Sequence, residues 1–185
     1  LLPLTNERLF IVSGGGFVAP RHNAITYADM EVPPTATGTI YRLENVKSGT
    51  AMTISGGSKV AGANAILQAT GELNEQKWMK IDLAGGYVKF LNLNSGEALG
   101  VWQGSTADGA SVVQWSDNGS SDQQWTIEQV DPVNNHFKII NRKSGLALCT
   151  DGGAAEDGTK LIQWAYSDSA DQKWKLVPVE EAVAG

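Results

Sequence analysis

The chain has 185 residues, 42% of them hydrophobic and 18% charged, which is a globular composition with enough length to bury a sizeable core. Its 14 Lys and Arg against 20 Asp and Glu give a net charge of −6. That balance disfavours nucleic acid, anionic membranes and polyanionic glycans as partners and leaves neutral ones open. Cys149 is the only cysteine, so no intrachain disulfide can form, and with only His22 and His136 beside it no standard zinc site can be built.

The chain opens with a segment, residues 1–38, that has no counterpart later in the sequence. Its start, LLPLTNERLFIV, has no basic n-region and no small-residue cleavage site, so it does not read as a signal peptide. No apolar run approaches the roughly 20 residues of a membrane helix. A strand-like run, Arg8 to Val12, leads into Gly14-Gly15-Gly16. A glycine run after a strand can cradle phosphate, but no Gly-Lys-Ser/Thr ending and no helix signal follow, so a plain loop is expected. Pro33-Pro34 and the residues up to Gly38 read as a linker. The segment is therefore an N-terminal extension or the tail of a preceding domain.

Residues 39–180 repeat three times, over about 39–85, 86–134 and 135–180. Each repeat opens with an apolar-polar alternation that ends in Asn and a turn at Ser48, Ser95 or Ser144. Each closes with Gln-x-Trp, at Gln76-Trp78, Gln123-Trp125 and Gln172-Trp174. The tryptophans stand 47 and 49 residues apart (125 − 78 and 174 − 125), and the serines do the same (95 − 48 and 144 − 95). Two independent landmarks on one period mark a repeat architecture. In the second repeat YVKFLN, EALGV, SVVQW and QWTIEQV read as four short strands, separated by Gly, Asp-Gly and Asn-Gly turns. No segment sustains helical periodicity. A tryptophan that recurs at one place in every repeat is a core residue, and this is the expectation for Trp78, Trp125 and Trp174. Gln76, Gln123 and Gln172 are expected to bond backbone in the bends between strands.

Three in-phase Gln-x-Trp motifs resemble the ricin-B-type β-trefoil lectins and carbohydrate-binding modules. The resemblance implies an all-β fold: a β-trefoil of three pseudo-symmetric four-strand repeats, six strands in a short barrel and six in three hairpins that cap it. It also implies up to three shallow sugar sites. In the family an Asp after the first hairpin strand, an aromatic about fifteen positions later and a polar residue before Gln-x-Trp take up a sugar. The second repeat offers Trp115, Asn118, Asp122 and Gln123, and the third offers Trp164, Asp151, Asp171 and Gln172. The usual Asp is replaced by Gly100 and Cys149, so either Trp102, Asp108, Asp151 or Asp157 takes over or affinity is low. In the first repeat Thr53 stands for the Asp and Ala69 for the aromatic, leaving only Glu75 and Gln76 in pattern, and this repeat is expected to be silent. Trp115 and Trp164 either stack on sugar or merely cover the barrel.

Nothing in the chain assembles a nucleophile, base and orienter. His22 lies in the extension and His136 in a strand start matched to Tyr41 and Tyr87. Cys149 follows apolar strand residues and reads as a semi-buried, inert thiol. Asp151, Glu156 and Asp157 do not match the twelve-residue calcium loop. The expectation is a non-catalytic, secreted module without cofactor or metal that binds a neutral polysaccharide of galactan, xylan or arabinan type. Such a module would be attached to a glycoside hydrolase. A glycosidase fragment whose active site lies elsewhere, and a protein-interaction trefoil with vestigial sugar sites, are the alternatives.

Overall fold

The computed structural model describes residues 38–179. The expected extension and linker, up to residue 37, lie outside the described residues. Twelve strands run through the rest: β1 Thr39–Asn45, β2 Ala51–Ile54, β3 Ala65–Gln68, β4 Trp78–Asp82, β5 Val88–Asn92, β6 Ala98–Val101, β7 Val112–Trp115, β8 Trp125–Asp131, β9 His136–Asn141, β10 Ala147–Thr150, β11 Leu161–Trp164 and β12 Trp174–Pro178. The four strands expected in the second repeat fall within a residue of β5 to β8. Every pairing is antiparallel. Six strands close a ring, β1-β4-β5-β8-β9-β12 and back to β1. The other six form three hairpins, β2-β3, β6-β7 and β10-β11. This is a β-trefoil barrel with its cap, and closure of the ring removes the unpaired edges that an open sheet would expose.

The repeat supplies the core in layers. Leu43, Phe90 and Ile139 come from the same place in each repeat, as do Met52, Leu99 and Leu148, and all are fully buried. Trp78, Trp125 and Trp174 are also fully buried, so the core reading of these residues holds. Each indole N–H donates to the carbonyl of the hairpin strand in its own repeat: Met52 O at 3.2 Å, Leu99 O at 3.0 Å and Leu148 O at 3.0 Å. The barrel strand is thereby fixed to its hairpin.

The repeats are also tied to one another. Asn45, Asn92 and Asn141 donate through Nδ2 to Asp171 O, Glu75 O and Asp122 O, each in the preceding repeat around the ring. Under the cap, Gly62, Gly109 and Gly158 donate backbone N–H bonds to Gln114 O, Gln163 O and Leu67 O of the next repeat. Two of the three seams carry a further clasp. Gln114 Nε2 donates to Ser58 O and Val60 O, and Gln163 Nε2 to Ser105 O and Ala107 O. At the third seam the same position is Leu67, which carries no amide.

One matching in the sequence reading shifts by a residue. The register pairs Tyr41 with Trp78, Val88 with Trp125 and Phe137 with Trp174. The counterparts of Tyr41 are therefore Val88 and Phe137, and those of His136 are Tyr87 and Ile40. Each of these positions stands 37 residues before its tryptophan (78 − 41, 125 − 88 and 174 − 137).

Two neighbouring buried positions of β10, Thr150 and Cys149, are not aliphatic. Thr150 stands where the other repeats have Ile54 and Val101, and its buried hydroxyl has no hydrogen-bond partner among the described residues. Cys149 is 2% exposed and its thiol is pushed up from 9.0 to about 12, first by burial and then by the charges of Asp171, Asp151 and Asp108. Thr150→Val removes an orphaned hydroxyl at little change in volume and is expected to raise stability by about 1–2 kcal/mol in chemical denaturation; an unchanged midpoint contradicts the orphan reading. The native Cys149 thiol is expected to resist a thiol reagent at pH 8 and to react only on unfolding. Because the folded state keeps a proton that the unfolded state loses, the thiol's contribution to stability falls as pH rises through about 9 to 12. The stability difference between wild type and Cys149→Ala is expected to shrink over that window.

Candidate functional site

Each hairpin ends its second strand opposite the start of its first. Trp115 closes β7 opposite Ala98, Trp164 closes β11 opposite Ala147, and Gln68 closes β3 opposite Ala51. The aromatic position of the first repeat is therefore Gln68, not Ala69. The miscount arises from aligning on the loop, whose length tolerates a slip, rather than on strand register, where one residue reverses the face. Gln68 cannot stack, so the correction leaves the first repeat without its ring. Trp115 is 42% exposed and Trp164 is 48% exposed. Covering the barrel alone does not account for half-exposed indoles.

Beneath each of these rings lies a groove. The second-repeat groove, about 310 Å³, runs from Trp102 and Trp115 past Asn118 and Ser120 to Asp122 and Lys143. The third-repeat groove, about 390 Å³, brings together Asp151, Trp164, Ser169, Asp171 and Gln172, with Cys149 and Thr150 behind. Of the residues expected in each site, the second-repeat groove is lined by Trp115, Asn118 and Asp122 but not by Gln123, and the third-repeat groove by Trp164, Asp151, Asp171 and Gln172. Gln123 and Gln172 are each 2% exposed and hold the loop. Gln123 Nε2 donates to Ser116 O at 2.9 Å while its Oε1 accepts from Asn118 N at 3.0 Å. Gln172 repeats this with Ala165 O at 2.8 Å and Ser167 N at 2.6 Å. Asn118 caps the same loop, its Oδ1 accepting from Ser120 N at 2.9 Å.

A serine fixes the carboxylate in each groove. Ser120 Oγ donates to Asp122 Oδ1 at 2.6 Å, and Ser169 Oγ donates to Asp171 Oδ1. No hydrogen bond among the described residues takes up either Oδ2. A fixed carboxylate with a free oxygen beside an exposed indole can accept from a ligand hydroxyl while the ring meets an apolar face. The usual acceptor positions offer nothing of the kind. Cys149 is buried and weakly polar, Thr53 donates its hydroxyl to Glu75 O at 3.3 Å, and a Cβ at Gly100 would stand 2.9 Å from Gln123 Cγ.

The grooves also draw on neighbouring repeats, which the sequence reading of single repeats misses. Gly62 of the first repeat, at φ +91°, lies under Trp102 and Trp115, and a Cβ there would meet their rings at 3.0 and 3.3 Å. Gly109 lies under Trp164 in the same way, and Asp108 Oδ1 accepts from Ala165 N at 3.0 Å. From the following repeat Lys143 reaches the turn at Gly104, and Lys47 Nζ donates to Gly153 O. The legible signal was spacing: Lys47 and Lys143 each stand two residues after the clasping Asn. Of the other candidates, Asp157 lies in an exposed turn and does not line the groove. No group of three or more potential metal ligands exists among the described residues, and no helix there is long and apolar enough to cross a membrane.

No curated protein sequence matches the chain. A designed threefold-symmetric protein, ThreeFoil, shares 36% identity with a TM-score of 0.73 over 76% of this chain and 99% of its own. An exo-β-1,3-galactanase from Clostridium thermocellum shares 33% identity with a TM-score of 0.73; the match covers 80% of this chain but 31% of the galactanase. A ricin B-like lectin from Macrolepiota procera, solved in complex with lactose, shares 27% identity with a TM-score of 0.64 over 76% of this chain and 95% of its own. The sequence model of ricin-type β-trefoil lectin domain-like proteins matches three overlapping stretches, residues 31–115, 74–164 and 121–184. The chain belongs to that family, and its fold is that of the ricin B-like carbohydrate-binding lectins.

Proposed function

We infer that the chain is a non-catalytic module that binds a neutral polysaccharide, galactan before xylan or arabinan, through the grooves of its second and third repeats. The observation that carries this reading is the pairing, twice over, of a half-exposed indole with a serine-held carboxylate in one groove: Trp115 with Asp122, and Trp164 with Asp171. The galactan preference draws support from the galactanase and from the lactose-bound lectin among the similar structures. Because this chain spans less than a third of that galactanase, attachment to a glycoside hydrolase, with export to where polysaccharide lies, is part of the same proposal.

Open grooves of this kind bind weakly, on the order of millimolar or about −4 kcal/mol per site. Two of them on one rigid domain gain avidity on a polymer, because the second contact is intramolecular. A polymer is therefore the better ligand, and a tethered module raises the substrate concentration seen by its enzyme.

Affinity electrophoresis through gels containing galactan, xylan or arabinan tests this. The chain is expected to be retarded by galactan and released by free galactose. Trp115→Ala and Trp164→Ala are each expected to cut retardation severalfold, the double variant to abolish it, and all three to melt as wild type does. Full retardation of the double variant would sink the assignment of these grooves, and free migration of the wild type in all three gels would sink the lectin function.

A further inference from the structure

The two grooves are not copies of each other. They differ most at the residue that opens the short turn after the first hairpin strand: Ser55 in the first repeat, Trp102 in the second and Asp151 in the third. Trp102 is 39% exposed and stands edge-on to Trp115, with ring centroids 5.5 Å apart and planes at 78°. Both indoles lie against the backbone of Gly62, where a Cβ would stand 3.0 Å from the Trp102 ring and 3.3 Å from the Trp115 ring. The result is a rigid corner with two aromatic walls, and Asp122 stands in the same groove. In the third repeat Trp164 has no such partner among the described residues, and the other wall is the exposed carboxylate of Asp151.

We propose that Trp102 is a second sugar-contacting aromatic, and that the Trp102/Asp151 position makes the two grooves unequal in what they select. This rests on the lectin reading above. A pyranose seated in the second-repeat corner meets one indole with its apolar face and the other with a C–H edge, so selection there follows apolar surface. In the third-repeat groove one face stacks on Trp164 while Asp151 and Asp171 accept hydroxyls, so selection follows hydroxyl arrangement. The two sites bind one sugar with different affinities, and the polymer bridges unlike contacts.

The test is an NMR titration of the whole chain, read at the tryptophan indole N–H signals, with galactose, xylose and arabinose added separately. The expected result is that Trp102 and Trp115 move together on one binding curve, Trp164 on a second, and the buried Trp78, Trp125 and Trp174 stay still. Trp102→Ala is expected to weaken the Trp115 curve about tenfold and leave the Trp164 curve and the melting temperature unchanged, while Trp102→Phe restores most of the binding. Asp151→Ala is expected to weaken the Trp164 curve alone. If Trp115 and Trp164 respond but Trp102 stays still and Trp102→Ala binds as wild type, Trp102 is only a prop and the inference is wrong while the lectin reading stands. If no indole responds to any of the three sugars, both fall together.

Discussion

The structure depends on one repeated tie: the indole N–H of the Gln-x-Trp tryptophan bonded to a carbonyl on the hairpin strand of the same repeat. A barrel strand and a cap hairpin share little backbone ladder, so something must join them across the core. A fully buried tryptophan does this with a large apolar area and with its one polar atom satisfied. Two residues earlier, the glutamine amide spans the loop that leads into the strand, and so places the aspartate just before it at the rim of the groove. The motif that builds the fold therefore also positions the carboxylate. Its persistence in the first repeat, where Gln68 has replaced the ring, is what a structural role requires.

The fold was open to reading because its signals are periodic and each is local. Gln-x-Trp, the clasping Asn and the serine turn recur on one period, and chain closure follows from having three of them. The candidate site was only partly legible. Trp115, Trp164, Asp122 and Asp171 could be found because they lie at fixed distances before a repeat tryptophan. Counting through a loop misplaced the silent position at Ala69, since loops absorb single residues and strands do not. Two contributions from outside the repeat were invisible: Gly62 under Trp115 and Gly109 under Trp164 are neighbours only once the ring is closed. The edge-on meeting of Trp102 and Trp115 belongs to the same class, because the glycine that permits it comes from another repeat.

Pseudo-symmetry lets the three repeats diverge without cost to the barrel. The core layers stay apolar in every repeat except at Thr150, and the seams keep their backbone bonds even where Leu67 has no amide with which to clasp. The rim is free to vary. It reads Ser55, Trp102 and Asp151 at one position and Gln68, Trp115 and Trp164 at another, giving one rim without a ring, one with two and one with a ring and an added carboxylate. Binding energy in such a domain resides in a few rim residues, and the scaffold beneath them is shared.

The central claim is that sugar is held at two specified grooves and not at the third. The most direct measurement is a crystal structure of the chain with lactose at a concentration well above millimolar. The account predicts a galactose ring against Trp115 and another against Trp164, with hydroxyls on Asp122 and Asp171, and no sugar at Gln68. Sugar seated at Gln68, or on the barrel away from both indoles, would contradict it.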